Sequence, residues 1–299
     1  MTDYEKRAGE WADAVFEEGH KPCGYEWVEI DPFKPYIYAF QSIRDDRFVK
    51  ISCEGYDPFY AYLQPCFNRE APLIVHTPGY GGEMSMHPEL ANEFHVLHVN
   101  PLGYSTPEGK DFSKLPIGGM LGRVFPDTVL TRGRGGYFKW FANVVMAVLW
   151  AWKQPNVVPG RVSFFGTSQG GGASLILGSI FKDRGVRCVA ADQPYLTDFP
   201  QLKKLNRSTL FGADLFKDVP ESEADDAMAL VDSINHAHRL NVPVLVSTAG
   251  KDIAIPLETS EHLYSLLKGS RAFVHFENVE HGYNREFIEM ARGWFRIFA

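Results

Sequence analysis

One segment constrains this chain more than any other: Arg161-Val-Ser-Phe-Phe-Gly-Thr-Ser-Gln-Gly-Gly-Gly-Ala-Ser-Leu-Ile-Leu. A β-rich run leads straight into Gly166-Thr167-Ser168-Gln169-Gly170, and an apolar helical run follows at once. The G-x-S-x-G pentapeptide alone is common by chance. Between a strand and a helix it predicts a strained turn that lifts the serine hydroxyl above the end of a parallel strand. Gly166 and Gly170 suit that turn because the flanking backbone crowds it and glycine carries no Cβ. The segment lacks the Gly-Lys-Ser/Thr ending of a phosphate loop and the G-x-G-x-x-G spacing of a dinucleotide site.

The rest of the chain agrees with a strand–helix alternation. Apolar runs at 73–76, 95–99, 161–165, 186–191, 242–248 and 271–276 read as strands. Helical patterns fall at 88–93, 137–152, 169–181, 257–267 and 284–298, and the run at 137–152 is apolar nearly all round, as a sandwiched helix would be. Such alternation implies a mostly parallel sheet with helices on both faces, whose sites lie beyond the carboxyl ends of the strands. Ahead of it, residues 3–18 read as a helix, and 25–30, 36–43, 47–53 and 59–63 as antiparallel strands at one sheet edge. We therefore expect a single domain over 1–299, with 1–24 as an N-terminal helical extension. Two stretches break the alternation. Residues 100–136 are rich in Gly and Pro. The long polar insertion at 193–240 reads as a cap or lid, or else as a surface-packed helical insertion with no role in substrate choice.

Composition narrows the classes of partner. The formal net charge is -7, and no Lys/Arg run is long enough to track phosphates, which argues against nucleic acid. The longest apolar stretch, 144–152, falls far short of the roughly 20 residues a membrane helix needs. No secretory leader is read at the N-terminus. Cys23, Cys53, Cys66 and Cys188 lack metal-ligand spacing. In the absence of a leader they are expected as reduced thiols in a cytoplasmic protein, with a Cys53–Cys66 bridge the less favoured alternative. No metal or other cofactor is expected.

A serine hydroxyl is a weak nucleophile unless a base takes its proton. Downstream of Ser168 the best-placed acid is Asp252, just past an apolar strand and a Gly turn; Asp192, also at a strand end, competes. Of the ten histidines, His281 lies between the last strand and the last helix. His236 and His238 fall in the insertion, His262 in a helix and His275 inside a strand. The order Ser168, Asp252, His281 is that of α/β-hydrolase triads. The Gln169 amide, at the start of a helix, and the Tyr80 amide, in His76-Thr-Pro-Gly-Tyr-Gly-Gly, are the candidate oxyanion donors. Tyr104, Tyr137, Trp140 and Tyr195 either stack on a sugar or belong to the core, and core is the commoner fate.

Taken together, Pro78-Gly79-Tyr80-Gly81-Gly82, Arg132–Tyr137, Gly166-Thr-Ser-Gln-Gly-Gly-Gly, Asp192-Gln-Pro-Tyr-Leu, Asp252-Ile-Ala-Ile-Pro and His281-Gly282 resemble the acetyl xylan esterase and cephalosporin-C deacetylase family, carbohydrate esterase family 7. The resemblance spans roughly residues 30–299. It implies an α/β-hydrolase fold, a Ser168–Asp252–His281 triad, an oxyanion hole from the amides of Tyr80 and Gln169, and hydrolysis of small acetyl esters. It also implies a small-molecule ester as partner, and leaves a homo-oligomer open. Three departures stand out. Asn100-Pro-Leu-Gly-Tyr replaces the family's Arg-Gly-Gln, Gly282 replaces the Glu after the histidine, and Pro78 replaces the His before Gly-Tyr. These leave the catalytic set intact but detach the natural substrate from the resemblance. Peptidase, thioesterase and lactone hydrolysis remain open on the same fold, as does a binding module that has lost catalysis.

Overall fold

The computed structural model describes residues 1–28, 48–66, 69–80, 87–104, 106–107, 134–206 and 220–299. The strand read at 36–43 and most of the stretch 100–136 lie outside these residues. Among the described residues nine strands form one sheet in the order β1-β2-β3-β5-β4-β6-β7-β8-β9. They are β1 (Cys23–Val28), β2 (Phe48–Cys53), β3 (Phe59–Gln64), β4 (Ala71–Thr77), β5 (His95–Val99), β6 (Val157–Thr167), β7 (Val186–Asp192), β8 (Val244–Ala249) and β9 (Arg271–Phe276). The pairings β1/β2, β2/β3 and β3/β5 are antiparallel. From β5 through β4, β6, β7 and β8 to β9 every pairing is parallel.

Helices cover both faces. In chain order they are α1 (Asp3–Glu18), α2 (Pro88–Ala91), α3 (Gly136–Ala151), α4 (Gln169–Ile180), α5 (Phe199–Leu205), α6 (Glu221–Met228), α7 (Ser233–His236), α8 (Leu257–Leu266) and α9 (Arg285–Phe298). Alternate residues of β4 show how the faces divide. Leu73 and Val75 pack in the core beneath α3 and α4, whereas Ile74 packs with Phe287, Ile288 and Phe295 of α9. Burial on both faces is why the parallel strands read as unbroken apolar runs rather than as alternation.

The helix at 3–18 begins with a capping box, in which Thr2 accepts from the Glu5 amide and the Glu5 side chain accepts from the Thr2 amide. Its apolar face is built into the core: Ala8, Ala12 and Val15 are fully buried, and the helix packs against α3 and α4. With the sheet on one side and α1 on the other, α3 has to be apolar nearly all round. The described parts of the 193–240 insertion contribute Tyr195, Leu196, Phe199, Leu202, Met228 and Val231 to this same core.

The cysteine reading needs correction. Cys23 and Cys53 form a disulfide, and only Cys66 and Cys188 are free thiols. The two bridged residues are direct cross-strand partners in the β1/β2 register. The reading that began the first strand at Tyr25 left Cys23 outside it and so missed the pair. Cys66 is buried beyond the end of β3, within reach of the Arg69 side chain. With that bridge present, thiol state no longer argues for a cytoplasmic location. No helix of the described residues is long and apolar enough to cross a membrane.

The bridge closes a loop with a sequence separation of 30, for which loop-closure entropy gives about 3–4 kcal/mol. Cys23→Ser is expected to lower the unfolding free energy by about that much in urea titration. Dithiothreitol should lower the wild type to the same level and leave the variant unmoved.

Candidate active site

The turn between β6 and α4 carries Ser168 at φ 59, ψ −123, a conformation that costs a non-glycine residue about 1–3 kcal/mol. The surroundings hold it there. The Ser168 amide donates to the Asp192 carbonyl (2.9 Å), and the Ser168 carbonyl accepts from the amides of Tyr195 (2.9 Å) and Gly172 (3.1 Å). The glycines around it are required by close backbone approach. A Cβ on Gly166 or Gly170 would overlap the Thr77 carbonyl, and one on Gly172 would overlap the Tyr195 carbonyl.

The structure brings the three candidate side chains into one chain of hydrogen bonds. His281 Nε2 lies 2.9 Å from Ser168 Oγ, and His281 Nδ1 lies 2.8 Å from Asp252 Oδ2. The other Asp252 oxygen, Oδ1, accepts from the amides of Ala254 (2.7 Å) and Ile255 (2.8 Å). Both oxygens are therefore engaged, and the side chain is 2% exposed. Asp252 does not cap α8, whose N-cap is Pro256. An imidazole that accepts the hydroxyl proton on one side and donates to a fixed carboxylate on the other can act as base and then as acid.

Asp192 has different partners. Its carboxylate accepts from Ser247 Oγ and Thr167 Oγ1, which leaves Asp252 as the hydrogen-bonding partner of His281. Burial pushes the Asp192 carboxyl up to about 6, against the opposing effect of those two hydroxyls and of nearby His281.

The oxyanion candidates flank Ser168. Gln169 is the first residue of α4, so helix geometry leaves its amide no carbonyl within the helix. Tyr80 follows Gly79, where a Cβ would stand 3.6 Å from Ser168 Cβ and 3.2 Å from the Thr167 carbonyl. Gly81 and Gly82 lie outside the described residues. A side-chain network that sequence reading missed joins these two positions. Tyr137 donates to Gln169 Oε1 (2.9 Å), and the hydroxyls of Tyr80 and Tyr137 lie 2.6 Å apart. Burial holds both phenols well above the ordinary tyrosine range, so they stay protonated and able to donate. Tyr195 packs edge-on against the Tyr80 ring. All four aromatics considered for sugar stacking, Tyr104, Tyr137, Trp140 and Tyr195, are core residues 3% exposed or less.

His76, noted for its place in the loop after β4, belongs elsewhere. It points to the α9 side of the sheet among His87, His98 and Phe165, with its Nδ1 3.0 Å from His98 Nδ1. Burial keeps both rings well below the usual histidine pKa. Among the described residues no group of His, Cys, Asp and Glu is arranged to hold a metal ion.

A family profile described as acetyl xylan esterase (AXE1) matches residues 52–297. The chain belongs to the acetyl xylan esterase family. As a member it is a serine carboxylic ester hydrolase. Acetyl xylan esterase 1 from Thermoanaerobacterium sp. JW/SL YS485 superposes with a TM-score of 0.74 at 17% identity, covering 96% of this chain and 92% of that one. The acetyl xylan esterase from Paenibacillus sp. R4 also scores 0.74, at 18% identity, covering 100% and 95%. Acylaminoacyl peptidase from Pyrococcus horikoshii scores 0.62 at 15% identity, covering 91% of this chain but 42% of its own. At such identities the likeness shows the fold, which is the α/β-hydrolase fold. No curated protein sequence matches this family member.

Asp192 supplies a test by linkage. Its carboxyl holds a proton in the folded state between about 4, where the unfolded chain releases it, and about 6. Its contribution to stability therefore falls as pH rises through that window. In Asp192→Asn this contribution is gone. The variant's unfolding free energy minus that of the wild type should grow from pH 4 to pH 6 in urea titrations, and a flat difference would refute the assignment.

Proposed function

We propose that the chain hydrolyses short acyl esters, acetyl esters foremost, through a Ser168–His281–Asp252 triad and an acyl-enzyme intermediate. The observation that carries this reading is the continuous hydrogen-bond chain from Asp252 through His281 to Ser168, ending on a serine held in a strained strand-to-helix turn. Membership of the acetyl xylan esterase family supports the choice of acyl group.

In this mechanism Ser168 Oγ attacks the ester carbonyl while its proton passes to His281 Nε2. Asp252 keeps Nδ1 protonated and stabilises the imidazolium. The charge developing on the carbonyl oxygen is met by the amides of Gln169 and Tyr80, which Tyr137 ties together through Gln169 Oε1 and the Tyr80 hydroxyl. As the tetrahedral intermediate collapses, His281 returns the proton to the departing alcohol and the acyl group stays on Ser168. Water then attacks the acyl carbon as its proton passes to His281; when that intermediate collapses, His281 gives the proton to Ser168 Oγ and the carboxylic acid leaves. Each step reuses the same two hydrogen bonds. The substrate of this proposal is a small-molecule ester, and no metal or other cofactor takes part.

Three experiments test the reading. Ser168→Ala should lower kcat/KM on p-nitrophenyl acetate by about 10⁴-fold or more while leaving the circular dichroism spectrum unchanged. Asp252→Asn should cost about 10³–10⁴-fold, and Asp192→Asn far less; the reverse order would move the acid to Asp192. Across p-nitrophenyl esters from acetate to octanoate, serine-dependent turnover should fall steeply after acetate. A preference for long chains would leave the triad standing and overturn the acyl assignment.

A further inference from the structure

His281 is the only triad member carried by a loop with a glycine beside it. Gly282 has φ 135, and its backbone is intrinsically free to move. On the other side of the histidine the loop is tied to the acid loop by the Lys251 amide, which donates to the Val279 carbonyl (2.9 Å). After the histidine, the next anchor within the loop's own sequence is Asn284, which caps α9.

Gln193 fills that gap. Its side-chain amide meets both polar groups of the Gly282 backbone. Oε1 accepts from the Gly282 amide (3.0 Å), and Nε2 donates to the Gly282 carbonyl (3.2 Å). The pairing settles which end of the Gln193 amide is oxygen, because a flipped side chain would set N–H against N–H and oxygen against oxygen. The clamp itself is rigid. Gln193 is 1% exposed, and its own amide donates to the Ser247 carbonyl on β8 (3.0 Å). It sits at φ 43, in the left-handed region that a non-glycine residue adopts only when its surroundings impose it.

We propose that Gln193 is a positioning residue for His281: it holds the loop on the carboxyl side of the histidine so that Nε2 stays on the Ser168 hydroxyl while Nδ1 stays on Asp252. The family resemblance includes the Asp192-Gln-Pro-Tyr-Leu segment but assigns this glutamine no part. The proposal rests on the reading of His281 as the base. Gly282 offers the loop no side chain of its own, and the clamp comes from the residue just past β7.

Three variants test it. Gln193→Met keeps the length and removes both hydrogen bonds. Gln193→Asn accepts the left-handed backbone readily but is one methylene too short to reach. Ser168→Ala serves as the control for the triad. On p-nitrophenyl acetate both Gln193 variants should lose about 10–100-fold in kcat, with KM within about twofold of wild type, the scale expected when a reacting group shifts by roughly 1 Å. The proton NMR resonance of the Nδ1–H between His281 and Asp252 should broaden or vanish while thermal unfolding stays cooperative. A residue with a merely structural role would lower Tm and leave kcat of the folded fraction unchanged. Should Gln193→Met fail to fold, Gln193→Asn decides alone. Wild-type kcat in the folded variants overturns this inference when Ser168→Ala is inactive. Activity persisting in Ser168→Ala would overturn the triad reading beneath it.

Discussion

Gly170 and Gly172 let the first turn of α4 lie directly against the backbone carbonyls of Thr77 and Tyr195. The rest of the site is built on that close approach. It presses the ends of β4, β6 and β7 together at one point, so the strained conformation of Ser168 is the geometry that satisfies the backbone groups on every side. The Ser168 amide and carbonyl are both spent on those neighbours, and the side chain remains to face the crevice. A methyl group at either glycine would push α4 away from the sheet and move the hydroxyl and the first helical amide together.

The same contact explains why the end of β7 and the segment after it matter. Asp192, Gln193 and Tyr195 each hold a different part of the machinery. The Asp192 carbonyl takes the Ser168 amide, and the Gln193 side chain takes the Gly282 backbone. The Tyr195 ring rests on Tyr80. Gln193, Leu196 and Asp198 all have positive φ, and such outliers persist where the surrounding structure over-determines them. Asp232 does part of this work. It is fully buried and accepts from the amides of Asp198 and Phe199, and burial pushes its carboxyl up to about 7. Elements distant in sequence thus converge on a few residues beside Ser168.

Much of this was legible in the residues. The strand–turn–helix around Ser168 is local, and its glycines and apolar runs are signals within one short window. Parallel strands are recognisable because burial on both faces removes polar residues from them. Ser168, Asp252 and His281 come in that order along the chain because they follow β6, β8 and β9, so the candidate site could be assembled without coordinates. The helix at 3–18 was legible too, and the structure adds the capping box that starts it.

What only the tertiary structure decided depends on register and on contacts across the chain. The Cys23–Cys53 bridge follows from which residues face each other on β1 and β2, and a strand's start cannot be read closely enough to give that. Asp192 and Asp252 both follow strands. Folding alone directed one to Ser247 and Thr167 and the other to His281. Nothing local in the sequence pointed to the contacts that Tyr137 and Gln193 make, because each meets a residue far along the chain. The amino-acid sequence by itself determined the α/β alternation, the elbow and the candidate site residues. The folded chain determined their partners, because a hydrogen bond between distant residues exists only once the sheet has set their separation.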